Sequence, residues 1–271
     1  MFRLMQSFDL AAMKELWEKL CGDGADLIEK AIQRFAMPEN VYIAEENGLL
    51  QAFVLAVPVS VRNHAGSYLY GLCSSETAAA AGLLDYACAE QRKKGAEFSV
   101  AIPSGEAQTE FLKNRGFAPA FALRCLHRPV ERNLWSQAEF DTVTAKTLCE
   151  LRQKYCPDSV MLTPERMMVV LSDLYSRGAT IVSNRHGYGV YFRQGETLYF
   201  AELFAEDDRA AEVLLEAARE KEIVAEKAVI TIGADQPLFW GEGTRMEYGM
   251  VRFEAAPFDV SGTYMRLMLE N

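Results

Sequence analysis

The stretch SYLYGLCSSETAAAAGLLDYACAEQRKKGAEFSVAIPS, residues 67–104, decides the fold of this chain. Ser67–Leu72, which follows the polar loop Arg62–Gly66 and holds two tyrosines and two leucines, reads as a strand. From about Glu76 to Lys94 the apolar residues recur at helical spacing, and Lys93, Lys94 and Gly95 supply the cations and glycine that a helix end favours. Phe98–Ile102 is a short apolar run stopped by Pro103, the mark of a buried strand. Strand, helix and strand in this order imply two parallel strands joined by a crossover helix.

Upstream, Val41–Glu45 and Leu49–Val59 flank Asn47-Gly48, the pair that a two-residue hairpin turn prefers. Two helix patterns precede them: Asp9 as a cap before Leu10, Met13, Leu16, Trp17 and Leu20, and Asp26 with Glu29 as a capping pair before Leu27, Ile28, Ala31, Ile32 and Phe35. Downstream, Ser104 is expected to cap a helix ending at Arg115-Gly116, and Phe117–His127 reads as a last strand.

The second half repeats this order. Thr163-Pro164 opens a helix carrying Met167, Met168, Leu171 and Leu174. Ala179–Ser183 and Gly189–Phe192 form a hairpin around Arg185-His186-Gly187, and Thr197–Leu203 follows Gly195. Ala210-Ala211 and Leu214-Leu215 then match Ala80-Ala81 and Leu83-Leu84 at an offset of 130 to 131 residues. Ala228–Ile232 matches the strand before Pro103. One fold present twice explains a common offset held by several elements. The expected partition is 1–127 and 143–271, separated by a charged linker at 128–142.

The 271 residues carry 28 basic and 38 acidic side chains, a net charge of −10, which argues against nucleic acid or an anionic membrane as a partner. The most apolar uncharged run, Leu49–Val61, is too short to span a bilayer as a helix, and the start MFRLMQSFDL lacks the pattern of a secretory leader. Six cysteines without CxxC pairs read as buried thiols in a reducing, cytoplasmic setting. Together with three scattered histidines they give no metal site. Met167-Met168 and Met246–Met250 read as core filler.

In its first copy the element order resembles the GNAT superfamily of acyl-CoA-dependent N-acyltransferases. Tyr68–Leu72 resembles the family's central strand, Leu83-Leu84 its following helix and Ile102-Pro103-Ser104 its next strand end. Phe111–Phe117 resembles its FYxxxGF segment. The tandem arrangement, with Trp17, Gly22-Asp23 and Tyr248–Arg252, resembles the two GNAT domains of enhanced-intracellular-survival-type acetyltransferases. The resemblance implies a mixed α/β fold of two tandem GNAT-like domains, the second degenerate, with acetyl-CoA as co-substrate and a small-molecule amine as acceptor. It also allows a homo-oligomer.

A helix start preceded by a glycine-bearing turn suits the CoA pyrophosphate, because free N–H groups and the helix dipole meet the anion. The corresponding residues here are Leu72, Cys73, Ser74, Ser75, Thr77, Ala78, Ala79 and Ala80, without the family's glycines or arginine and with Glu76 among them. In the second copy Glu206-Asp207-Asp208 stands at the same place and argues against CoA there. The family's tyrosine acid falls on Leu112, so the candidates left for proton transfer are Tyr70, Glu45 near the hairpin turn and, through the resemblance, Glu270 near the terminus. His64 and Cys73 read as a surface histidine and a packed thiol. Three functions remain open: an N-acyltransferase working from the first copy with the second as scaffold, a GNAT-like ligand-binding or assembly protein without transfer activity, and an acyltransferase that uses a donor lacking the CoA pyrophosphate.

Overall fold

The structure, a computed structural model, describes all residues except 22–27, 30, 33, 34 and 268–271. Asp26, Leu27, Gly22-Asp23 and Glu270 therefore lie outside the described residues. The chain divides into two compact units: Met1–Ala120 with Gly249–Asp259, and Phe121–Tyr248 with Val260–Asn271.

In the first unit β1 (Phe2–Leu4), β2 (Val41–Glu46), β3 (Leu49–Val61) and β4 (His64–Ser74) pair antiparallel in sequence order. Asn47 and Gly48 both take positive φ at the β2–β3 turn, the left-handed pair that keeps two twisted strands together. β5 (Phe98–Ala101) pairs parallel with β4, and residues 250–253 of β12 (Thr244–Phe253) pair antiparallel with β5. Those residues come from the far end of the chain, but their backbone bonds belong to the first unit.

α1 (Leu10–Cys21) packs on β3 and β4. Asp9 does not cap it: its carboxylate accepts from the Gln6 N–H and is clamped by Arg3. α2 (Thr77–Lys93) packs across β2, β3 and β4, burying Leu83, Leu84, Ala87 and Cys88 against Tyr42, Val54, Ala56 and Leu69. Burial pushes the Cys88 thiol up to about 12, so it serves as packing. α3 (Glu106–Lys113) follows β5. Its N-cap is Gly105 and not Ser104, with no side chain capping it.

The second unit is built to the same plan. β6 (Ala118–Pro129) pairs antiparallel with β11 (Lys227–Gly233), which pairs parallel with β10 (Thr197–Ala205). β9 (Gly187–Gln194), β8 (Thr180–Asn184) and the short β7 (Glu139–Phe140) complete an antiparallel run. β7 and the end of β6 thus occupy part of the stretch 128–142. α4 (Ala145–Tyr155), capped by Thr144, is an element the sequence reading left unassigned. α5 (Pro164–Ser176) starts at the expected Thr163 cap, and α6 (Asp208–Lys221) packs on β8, β9 and β10. Met167 and Met250 are buried as expected, whereas Met168 and Met246 are exposed because they fall on the outer faces of their elements.

Behind β10 lies a charged cluster with no access to water. Arg152 of α4 donates to both carboxylate oxygens of Glu202, and the Tyr188 and Tyr264 hydroxyls donate to the same carboxylate. Arg152 and Glu202 side chains are 0% exposed. Burial acts to lower the Arg152 pKa, but the Glu202 charge more than reverses this and holds it above its ordinary value. Both tyrosines are raised, first by burial and then by the same carboxylate. Replacing Arg152 by Met leaves a buried carboxylate without its counter-charge, which costs about 3–5 kcal/mol. A urea titration of Arg152→Met should show that loss, and adding Glu202→Gln should recover part of it.

Candidate functional site

The first unit's site arises where its two parallel strands stop pairing. β4 and β5 are in register only from Gly66↔Phe98 to Tyr68↔Val100. Beyond that the strands part, although β4 continues to Ser74. The pairing of β4 with β3 also slips between Leu55↔Tyr70 and Phe53↔Cys73, so two residues of β4 oppose one of β3. Gly71 sits in that bulge with φ +61, under the Trp17 ring, and an added Cβ would come within 3.0 Å of it. A bulge bends its strand and re-aims the next residues, here away from β5.

A cavity of about 320 Å³ opens where the strands part, lined by Leu72, Ser74, Ser75, Glu76, Thr77, Ala80, Ala107, Gln108 and Phe111. The start of α2 forms one side. Glu76, its N-cap, is extended and no side chain caps the helix. The Glu76 N–H is taken by Ser74 Oγ, and Ala80 N–H begins the helical bonding to Glu76. Among the described residues no partner takes the N–H groups of Thr77, Ala78 and Ala79 in the first turn. Three amides and the positive end of a helix dipole make an anion site, while the Glu76 carboxylate on its rim opposes one. Ser75 Oγ is committed to Gln51 and Ser74 Oγ to the Glu76 carbonyl.

Five of the eight residues expected to hold the co-substrate line the cavity: Leu72, Ser74, Ser75, Thr77 and Ala80. Cys73 is buried, Ala78 is exposed and Ala79 is half-buried. Tyr70 stands two residues past the last β4–β5 pair, in contact with Trp17, Phe35 and Tyr68. Glu45 is elsewhere: Arg3 holds its carboxylate at 2.7 Å on the β1–β2 pair. His64 Nδ1 is hydrogen-bonded to the Glu97 carboxylate at 2.8 Å, and the ring stacks on Phe258. Ala107, Gln108 and Phe111 were not expected. They come from α3, a helix that was expected and whose Phe111 belongs to the FYxxxGF-like segment, but its approach to β4 depends on the strand divergence.

The second unit meets the same divergence and closes it. β10 and β11 pair from Thr197↔Lys227 to Phe200↔Ile230 and then part. Gln236 spans the gap, its Nε2 donating to the Leu203 carbonyl at 2.7 Å and its Oε1 accepting from the Gly233 N–H at 3.1 Å. The start of α6 is occupied as well: Asp207 accepts from the Ala210 N–H, and Asp208 accepts from the Phe239 N–H. Arg124 fixes this segment by donating to the carbonyls of Gln236, Leu238, Phe239 and Glu242.

The sequence matches no protein-family profile and no curated protein. Solved structures do match. A GCN5-related N-acetyltransferase from Kribbella flavida superposes over 93% of this chain and 70% of its own, with a TM-score of 0.73 and 13% identity. Eis1 from Mycobacterium abscessus covers 94% of this chain and 74% of its own, with a TM-score of 0.68 and 10% identity. The tandem GNAT protein of the clavulanic acid biosynthesis pathway covers 96% and 99%, with a TM-score of 0.54 and 12% identity. The fold is that of a tandem GNAT acyltransferase. Within this GNAT fold, the divergence of β4 and β5 and the bare start of α2 are the features on which a ligand can act.

Among the described residues no group of acidic, histidine or cysteine side chains could hold a metal ion, and no helix is long and apolar enough to cross a membrane. Gln236→Ala should cost roughly 1–2 kcal/mol by leaving a strand carbonyl and a strand N–H unpaired. The urea midpoint measures that cost, and Gln108→Ala, at the open cavity, should shift it less.

Proposed function

We propose that the first unit is an N-acyltransferase that carries an acetyl or other acyl group from acyl-CoA to the amine of a small molecule. One observation carries the reading: the bare N-terminus of α2 faces an open cavity at diverging parallel strands, whereas its counterpart in the second unit is capped and bridged. The Thr77, Ala78 and Ala79 amides are suited to the donor's diphosphate, and the parted strands leave room for its thioester arm. The alanine-rich start of α2 lets those amides approach a ligand even without the family's glycines. The tandem partition expected from the sequence, with the site in the first domain, is part of the proposal.

In such a transfer the amine nitrogen bonds to the thioester carbonyl, the C–S bond breaks, the thiolate gains a proton and the amine loses one. Leu112 is buried in the core and Phe111 lines the cavity, so neither gives a proton where the family keeps its tyrosine. Tyr70 is the remaining hydroxyl among the residues expected for this role, and the amine's proton leaves to solvent in this scheme. The missing hydroxyl at Leu112 is also what favours the second reading, a protein that binds acyl-CoA without transferring from it.

Thermal denaturation with acetyl-CoA tests the donor. At a hundredfold its dissociation constant it should add about 2.7 kcal/mol, a shift of roughly 5–10 °C. No shift with any CoA ester refutes both readings, and a shift without thiol release in the presence of a panel of amines leaves the second.

Two substitutions probe the cradle. Thr77→Pro takes the first helical position after an extended Glu76, where proline fits, so the unliganded melting temperature should hold while acetyl-CoA affinity falls roughly three- to tenfold with the lost N–H. Glu76→Gln should raise affinity roughly fivefold, since a carboxylate about 4 Å from a phosphate charge in water costs about 1 kcal/mol. Calorimetric titration reads both.

A further inference from the structure

The two units place a glutamine amide at the same point and use it differently. The first parallel pairs, Gly66↔Phe98 and Thr197↔Lys227, relate β4 to β10 by 131 residues and β5 to β11 by 129. By these offsets Leu72 corresponds to Leu203, and Ser104 to Gly233. In the second unit the Gly233 N–H holds Gln236 Oε1, and the amide's other end crosses to Leu203. In the first unit the Ser104 N–H holds Gln108 Oε1 at 2.6 Å. That donor fixes which end of the amide is oxygen, since an N–H requires an acceptor. Gln108 and Leu72 line the cavity together, and among the described residues no partner takes the Gln108 Nε2.

We infer that Gln108 is a positioning residue for the ligand of the first unit: its Nε2–H donates to an acceptor oxygen of the bound acyl donor, as Gln236 donates to a strand carbonyl. The inference rests on the proposed acyl-CoA reading. Two oxygens of that donor have the right chemistry, an amide carbonyl of the thioester arm and a diphosphate oxygen. The arm is favoured, because the α2 amides already serve the diphosphate and Gln108 stands at the strand ends, where Gln236 meets a carbonyl. A one-residue difference in placement accompanies the change: the Ser104 N–H, beyond the end of β5, binds an amide four positions on, and the Gly233 N–H, at the end of β11, binds one three positions on.

The test is calorimetric titration of wild type, Gln108→Ala and Gln108→Glu with acetyl-CoA, 4′-phosphopantetheine and adenosine 3′-phosphate 5′-diphosphate. Gln108→Glu keeps the acceptor for Ser104 N–H and loses the donor, so its unliganded melting temperature should equal that of wild type. Loss of one ordinary hydrogen bond predicts roughly tenfold weaker acetyl-CoA binding in both variants. The same loss with 4′-phosphopantetheine, and none with the adenosine fragment, places the acceptor on the arm. Loss with the adenosine fragment in Gln108→Ala, which adds no charge beside the diphosphate, instead places it there and keeps the role of Gln108. Acetyl-CoA binding that is tight in wild type and unchanged in Gln108→Glu overturns the inference while leaving the acyl-CoA reading intact. Absence of binding to wild type overturns both.

Discussion

Two parallel strands that separate after three or four pairs leave backbone donors and acceptors with nothing to bond, and both units of this protein are organised around that deficit. A buried polar group without a partner costs about 1–3 kcal/mol, so the gap must be filled by water, by the chain or by a ligand. The second unit fills it with its own chain. Gln236 bridges the strands, Asp207 and Asp208 occupy amides at and beside the helix start, and Arg124 gathers four carbonyls to hold the bridging segment still. In the first unit the same gap stays open to the surface.

The difference traces to the segment that leaves each second parallel strand. After β5 the chain forms α3, a regular helix whose first turns lean on the cavity without crossing it. After β11 it makes an irregular segment in which Phe239 takes a positive φ and Gln236 reaches across. Burial reinforces the contrast. Glu202, fully enclosed with Arg152, Tyr188 and Tyr264, ties β10 to β9, α4 and the segment around Tyr264, all within the second unit. At the offset that relates the two units, the first has Gly71 in that place, beneath Trp17. An ion pair of this kind contributes less to stability than to holding a single arrangement, because its desolvation offsets much of its attraction.

Much of the fold was legible because it is written in local patterns. The Asn47-Gly48 turn, the Thr163 cap and the apolar spacing of α2 and α6 all depend on neighbours in sequence. Contacts made at long range were not legible. Nothing near Arg152 announces Glu202, fifty residues away, and nothing in residues 249–259 marks them as belonging with β5. The candidate site divides in the same way. The strand-to-helix turn at 72–80 was readable from its own residues, whereas Gln108 and Phe111 enter through the strand divergence, which a one-dimensional pattern does not record. Glu45 shows the opposite failure: its position near a turn looked available for chemistry, but a partner 42 residues away neutralises it.

The residue types at the helix start have a physical logic that a motif comparison obscures. Glycine in such a loop serves close approach of backbone to an anion, and arginine adds charge. Alanine at Ala78, Ala79 and Ala80 preserves the amides and most of the approach while stiffening the helix that presents them. What the chain gives up is charge complementarity, and Glu76 worsens the deficit, as does a net charge of −10. The same negative charge raises the local concentration of a cationic amine, the other reactant of an acyl transfer. On the proposed reading, a site built from amides without cations would trade affinity for the donor against attraction of the acceptor, and the balance would rest on the Thr77, Ala78 and Ala79 N–H groups; in the second unit the Asp207 side chain takes the third amide of the corresponding turn.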